Sequence, residues 1–531
     1  MGGPPRAAAQ GPHQSAPAGG ANVTEHQAET DHDGTGEAPV FRPRKNGQAQ
    51  AVSEELAAWM RTGWADTEMR DLDPVEQAPY TAKRRAALSG RFPGERLVVP
   101  AGALKTRSND TEYPFRPASD YVYLSGDASD GGCLVFEPRS SGGGHVATVY
   151  LRPRSNRENG EFWLDGHGEL WTGRRDSLAE AGALLGLATD DVRRLPGILG
   201  EAPDVPTRIV RGHDLGLEQV VAGLRGNADG SAGAEVDAKA DEAARRDEEL
   251  AIALHDQRLV KDEWEVAQLQ QAVDSTVRGF GDVVAALPQA RATSERYIEG
   301  TFFLRARVEG NDVGYGTIAA SGPNATTLHW MRNDGPVRDG ELLLLDAGVE
   351  TRTFYTADVT RTLPVSGTFT DVQRRVYDLV YAAQEAGIAA VAPGRPFTAY
   401  HQAAQRVLAA GLVEWGLLDG PVDRVVELGL QRRYTLHGTG HMLGLDVHDC
   451  AISRTELHLY GDLLPGMVLT VEPGLYFQPD DLTVPEELRG IGVRIEDDVL
   501  VTADGNRVLS AALPRTADDV EAWLAGNGPA R

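Results

Sequence analysis

GELLLLDAG (residues 340–348) and GMVLTVEPG (residues 466–474) share one pattern: a glycine, a mostly apolar run, a carboxylate, a spacer and a second glycine. Apolar runs of this length bounded by glycine predict buried strands rather than helices. A carboxylate closing a buried strand costs free energy unless a positive charge meets it, so Asp346 and Glu472 point to a shared cation. Each half supplies a second acid: Asp358 in YTADVTR (355–361) and Glu496 in GVRIED (492–497).

Between the halves lies HGTGHMLGLDVHD (437–449), which contributes His437, His441 and His448. The first two, four apart, could share a helical face, but Gly438 and Gly440 disfavour helix and no glutamate follows His437. A loop or strand is therefore expected. Any one of these acids alone reads as a strand-end, capping or turn residue. The duplicated pattern together with the histidine-rich loop reads as a metal site.

These residues carry a specific resemblance. HGTGHMLGLDVHD, LTVEPGLY (469–476) and GIGVRIEDDVLVT (490–502) are similar to aminopeptidase P, of the pita-bread metallopeptidases that include prolidase and methionine aminopeptidase. The resemblance extends from about residue 90 onward. YPFRPASDYVYLSG (113–126) is similar to that family's N-terminal domain, which methionine aminopeptidases usually lack. The interval between Asp346 and Asp358 is one residue longer than in many bacterial relatives, so a remodelled linking turn is expected.

The resemblance implies an α+β fold, with an N-terminal α/β domain followed by a pita-bread catalytic domain of pseudo-twofold symmetry. It also implies five metal ligands in chain order: Asp346, Asp358, His441, Glu472 and Glu496. Asp358 and Glu496 would bridge two divalent cations, His441 and Glu472 would complete one, and Asp346 the other. Mostly oxygen donors with one imidazole suit Mn²⁺, while Co²⁺ or Zn²⁺ could also bind. Four carboxylates balance two such cations in charge, so metal binding and folding should be coupled.

His329, in TTLHWM (326–331), and His448 match histidines of substrate binding and transition-state stabilisation, and Glu472 matches a ligand that also shuttles a proton. His437, Tyr476 and Arg494 match the proline-side pocket. On their own, His329 and His448 read equally as hydrogen-bonded supporting or core histidines, Tyr476 as core, and Arg494 as a countercharge to nearby acids. The implied reaction releases the N-terminal residue from peptides with proline second. The alternatives are prolidase, restricted to Xaa-Pro dipeptides, and a non-catalytic pita-bread binding module.

The rest of the chain fits a soluble enzyme. At 531 residues it has room for more than one domain, and 52 basic against 78 acidic residues give a formal charge of −26. That balance, without a long basic run, disfavours nucleic acid and anionic membranes as partners. Peptides with an Xaa-Pro N-terminus are the expected substrates, and a homo-oligomer, dimer or tetramer, is expected from the family. Cys133 and Cys450 are the only cysteines, which excludes a multi-bridge framework or a four-cysteine zinc site and predicts small buried hydrophobes. No apolar run reaches a membrane span, and the opening lacks the apolar core of a secretory signal, so a cytoplasmic location is expected.

Residues 1–52, rich in Gly, Ala, Pro and Gln, are expected to be a disordered extension. An α/β domain follows over 53–250, with helical patterns in EELAAWMRTGW (54–64), TAKRRAALSGRF (81–92), SLAEAGALLGL (177–187) and LEQVVAGLR (217–225). RLVVPAG (96–102), YVYLSG (121–126), CLVFEP (133–138), HVATVYLRP (145–153) and RIVRG (208–212) read as strands. Residues 226–248 are polar and read as an inserted loop or linker at its end. The catalytic domain spans 251–531 and opens on a helix carrying Val266, Leu269, Val273 and Val277 at core spacing. It closes on the short helix TADDVEAWLAG (516–526).

Overall fold

The computed structural model describes residues 53–109, 111–140, 142–226 and 234–526. The extension over 1–52 lies outside the described residues. They group into two compact units. In the smaller, residues 53–66 and 155–173, Ser53 caps helix Glu54–Met60, and Trp64 meets Phe162 edge-on at 5.2 Å with Arg157 over both rings.

The larger unit begins with helix Ala78–Arg91 and a five-stranded sheet. Its order is Ala188–Asp191, His145–Leu151, Cys133–Pro138, Arg96–Pro100, Thr207–Ile209, antiparallel in the middle and parallel at both edges. Side chains alternate between two cores: Leu97, Val99, Leu134 and Phe136 enter one, and Val98, Cys133 and Val135 the other. With both faces covered, these strands show as continuous apolar runs rather than alternating ones. Cys133 and Cys450 are free and buried.

Two expectations are corrected here. YVYLSG is not a strand but belongs to helix Ser119–Ser125. Every residue of that helix is buried, so no polar face marked its period, and Gly126 at φ 75 ends it. The stretch 226–248 is not a loop or linker throughout, because helix Ala234–Arg258 takes up its greater part. Its Ala, Glu, Lys and Arg are strong helix formers, and a helix with one wide solvated face is as polar as a linker. Asp247 on it is buried and accepts from the Ile209 backbone and from Arg211 and Arg225.

Helix Glu263–Arg291 opens the second part. Asp262 and Glu265 cap it reciprocally, each side chain accepting from the other's backbone N–H. Leu269 and Val273 are buried, and Val266 and Val277 border that stripe half-buried. This helix pairs with Glu295–Glu309 and packs on an antiparallel sheet of Ile318–Ser321, Leu342–Ala347 and Val359–Pro364, with Leu342–Ala347 central. The second half repeats the order: helices Asp371–Ala390 and Ala399–Glu414, then an antiparallel sheet of Val468–Val471, Asp497–Val501 and Asn506–Val508. Helix Ala517–Leu524 closes the described chain.

The two halves meet where strand Val359–Pro364, at the edge of the first sheet, runs beside residues 494–496. The Glu496 N–H donates to the Thr360 carbonyl at 3.1 Å, and Thr362 Oγ1 donates to the Arg494 carbonyl at 2.9 Å. This junction brings the carboxylates of both halves to one place. Among the described residues no helix is long and apolar enough to cross a membrane.

Candidate metal centre

Asp346 sits on the central strand Leu342–Ala347, opposite Thr360. The four leucines before it are all buried, and at about 1.5–3 kcal/mol each they can hold a carboxylate against its desolvation cost. Asp358 directly precedes the neighbouring strand, and its backbone N–H donates to Asp498 Oδ2 at 3.1 Å. The Tyr315 hydroxyl lies 2.7 Å from Asp346 Oδ1 and 2.5 Å from Asp358 Oδ1, tying the two acids together. From the other half, Glu496 accepts from Thr360 Oγ1 at 2.7 Å, and Glu472 follows strand Val468–Val471.

The histidine-rich loop contains no helix, as its glycines suggested. It is stitched to strand Val468–Val471 by Thr470 N–H to the His441 carbonyl (2.9 Å) and Glu472 N–H to the Thr439 carbonyl (2.8 Å). A Cβ at Gly440 would collide with the Thr470 carbonyl oxygen, so this crossing requires glycine. His441 Nδ1–H donates to the Met442 carbonyl at 3.0 Å, which leaves Nε2 facing the acids. Nε2 lies 3.3 Å from Asp358 Oδ2 and 3.7 Å from Glu472 Oε1. Ligand atoms of Asp358, His441 and Glu496 all fall within 4.8 Å of one another.

The electrostatics show what this cluster lacks. Burial, then the charges of Asp358, Glu472 and Asp346, push Glu496 well above the carboxylate range. Burial and the charges of Asp358 and Asp346 raise Glu472 to about 7, against His441 and Arg494. Asp346 is raised by burial and by Asp358, with Arg494 opposing. Burial pulls His441 down, but Asp358 and Glu472 lift it to about 9. Four acids thus converge on one histidine and one arginine, short of positive charge. Carboxylate oxygens and a bare imidazole nitrogen are the donors that divalent ions take, so this residue set fits divalent metal ions.

Asp346, Asp358 and Glu496 form a buried floor, His441 and Glu472 are half-buried, and His329 and His448 are exposed at the mouth. The His448 ring lies 4.4 Å from that of His441, and burial together with His441 lowers its pKa. A chain of hydrogen bonds runs from the floor to the rim. Arg494 Nη2 contacts Asp346 Oδ2 at 2.5 Å, and Arg494 Nη1 donates to the Tyr476 hydroxyl at 3.0 Å. That hydroxyl in turn donates to His437 Nε2 at 2.8 Å. Burial and Arg494 lower His437 to about 4.

His329 is near enough for its charge to bear on both His437 and His448, so all ten residues singled out in the sequence gather in one region. Sequence reasoning missed Tyr315, Thr360 and His401, whose Nδ1 lies 2.9 Å from Thr439 Oγ1. Thr360 stands in YTADVTR and its position was open to inspection; nothing in the sequence marks a lone tyrosine or histidine.

Residues 267–503 match metallopeptidase family M24, and residues 81–203 match the aminopeptidase P N-terminal domain. Xaa-Pro aminopeptidase 1 of Streptomyces coelicolor is 66% identical over 489 residues, covering 92% of this chain and 95% of its own. The Xaa-Pro aminopeptidase of Escherichia coli is 32% identical, covering 85% and 99%. The solved aminopeptidase PepP of Pseudomonas aeruginosa superposes with a TM-score of 0.73 at 31% identity, covering 86% and 99%. This chain belongs to the aminopeptidase P family of pita-bread metallopeptidases.

Proposed function

We propose that this protein is a metal-dependent aminopeptidase that releases the first residue of peptides whose second residue is proline. What carries the reading is the gathering of Asp346, Asp358, His441, Glu472 and Glu496 around one half-open site, in a chain matching 95% of a Streptomyces Xaa-Pro aminopeptidase. These five residues would hold two divalent ions, and the predominance of oxygen donors favours Mn²⁺. When bound, such ions polarise the scissile carbonyl and acidify a water.

The chain's own groups do the rest. Glu472 is the acid nearest the mouth, 3.7 Å from His441 and 3.6 Å from His437, where it can hold a proton and pass it to the leaving nitrogen. His329 and His448 at the mouth donate to the carbonyl oxygen as negative charge develops. His437, Tyr476 and Arg494 line the proline side. A prolyl bond has no N–H, so a pocket shaped for the ring replaces the backbone grip that ordinary peptidases use.

In this reading an N-terminal α/β domain over 53–250 precedes the catalytic domain over 251–531. The N-terminal domain limits access to free amino ends and contributes to a dimer or tetramer in this reading. The test compares an Xaa-Pro dipeptide with a longer Xaa-Pro peptide, with and without chelator and Mn²⁺. Cleavage of the longer peptide that needs metal is the expected result. Cleavage confined to the dipeptide would make the enzyme a prolidase, and no metal-dependent cleavage of either would make it a binding module.

A further inference from the structure

We propose that Glu295 is a positioning residue for His329, a proposal that rests on the reading of His329 given above. Glu295 is the first residue of helix Glu295–Glu309, yet its side chain is 0% exposed. The carboxylate turns into the loop that joins strand Ile318–Ser321 to strand Leu342–Ala347. Oε1 accepts from the Ser321 N–H at 2.7 Å and from Asn324 Nδ2 at 2.8 Å. Oε2 accepts from Trp330 Nε1 at 2.8 Å and from the Gly335 N–H at 2.7 Å. The Glu295 N–H donates to the Gly335 carbonyl at 3.0 Å, closing the loop's far end.

Four donors match the lone-pair capacity of a carboxylate. They come from the start, the middle and the end of one loop, and Trp330 is the neighbour of His329. The His329 ring itself, exposed at the mouth, makes no hydrogen bond among the described residues. Its placement is therefore inherited from the backbone on either side. Asn333 ties the loop's return to the Ala319 N–H and the Thr317 carbonyl, and Gln478 holds Thr326. Trp330 and Leu328, on either side of His329, pack against the cluster of Ile318, Ala320 and Leu344, and among the described residues Glu295 makes the one hydrogen bond that fixes the Trp330 ring.

No uncharged residue of the same shape reproduces this grip. A glutamine in either amide orientation presents N–H to two of the four donors, so it loses one side of the clamp. The loop would keep its ends through Asn333 and Gln478 while its middle drifted. A reacting group displaced by about 1 Å can lose about 100-fold in rate.

The experiment places Glu295→Gln and, separately, Trp330→Phe in the parent and in His329→Ala, and measures kcat, KM, bound metal and Tm on an Xaa-Pro tripeptide. Trp330→Phe removes one donor and keeps a ring, so it decides the matter by the same comparison if Glu295→Gln does not fold. The expected result is a kcat loss of about 10- to 100-fold with KM and bound metal near parent values, and little or no further loss when His329 is already alanine. An equal loss in both backgrounds, or no loss of kcat, overturns the proposal. If His329→Ala alone leaves kcat at the parent level, the reading of His329 fails first and the proposal falls with it.

Discussion

Arg494 Nη2 lies 2.5 Å from Asp346 Oδ2 with both side chains buried. The same guanidinium donates to the Tyr476 hydroxyl at 3.0 Å and to Thr360 Oγ1 at 3.2 Å. One side chain thus links a proposed ligand, the proposed substrate-pocket residue Tyr476 and the threonine that holds Glu496. A lysine keeps the charge but not the planar fork.

Arg494→Lys is therefore expected to lose about 10- to 100-fold in turnover while the metal-free protein stays near parent stability. Arg494→Met, which leaves Asp346 unpaired, should cost about 3–5 kcal/mol in the metal-free protein. Steady-state kinetics and urea unfolding separate the two. Equal turnover in Arg494→Lys and the parent would make charge alone sufficient.

The Tyr315 hydroxyl has one hydrogen and two carboxylates within reach, Asp346 and Asp358. Removing it in Tyr315→Phe should weaken metal binding by about 10- to 100-fold without unfolding the protein. Asp358→Ala and Glu496→Ala should abolish metal-dependent cleavage. Metal analysis alongside kinetics checks both. Near-parent turnover in either alanine variant would defeat their assignment as ligands, and unchanged affinity in Tyr315→Phe would reduce Tyr315 to packing.

The raised pKa values set a sign for pH. Glu472 stands at about 7 because of burial and nearby acids; His441 stands at about 9 because Asp358 and Glu472 outweigh its burial. Both values exceed their ordinary ones of 4.5 and 6.5, so the folded state holds these protons more tightly. Their contribution to stability is full below the ordinary values and is lost as pH rises through about 7 and about 9. Divalent cations held by these residues would take the place of those protons. The Tm gained on adding Mn²⁺ should therefore grow with pH across this window, as read by scanning calorimetry with and without chelator. A gain independent of pH would remove the electrostatic account.

The legible parts of this fold and site share a physical trait. GELLLLDAG and GMVLTVEPG could be read because an acid after an apolar run has few neutral explanations, and glycines mark where the runs stop. YVYLSG could not, because a helix buried on all sides shows no period, and only the left-handed Gly126 separates it from a strand. Residues 234–248 failed for the opposite reason: a solvated helix and a linker have nearly the same composition. The ligand candidates were legible through residue type, since few side chains bind divalent ions. Tyr315 and Glu295 were not, because they act through hydrogen bonds to partners far along the chain, and hydrogen-bonding residues are common everywhere.

Behind His448 the loop is anchored by charge. Lys261 Nζ lies 2.9 Å from Asp449 Oδ2, and Arg258 Nη2 lies 3.1 Å from Asp449 Oδ1, with all three side chains buried. Burial pushes Asp449 up, yet Lys261 and Arg258 hold it down at about 2. A depressed carboxylate stabilises the fold above its ordinary 3.8 and loses that contribution as pH falls toward about 2. Asp449→Ala leaves the buried Lys261 without its acid, while Arg258 keeps Asp120 at 3.0 Å and Asp446 at 3.1 Å, and a loss of about 3–5 kcal/mol is expected. Because Asp449 follows His448 directly, turnover should fall with stability, whereas KM for a short peptide should change less. Urea unfolding near neutral pH and again below 3.8 tests the origin of the loss: the gap between parent and variant should narrow in acid as the parent's own carboxylate is protonated. A gap of constant size would assign the loss to packing rather than to the ion pair.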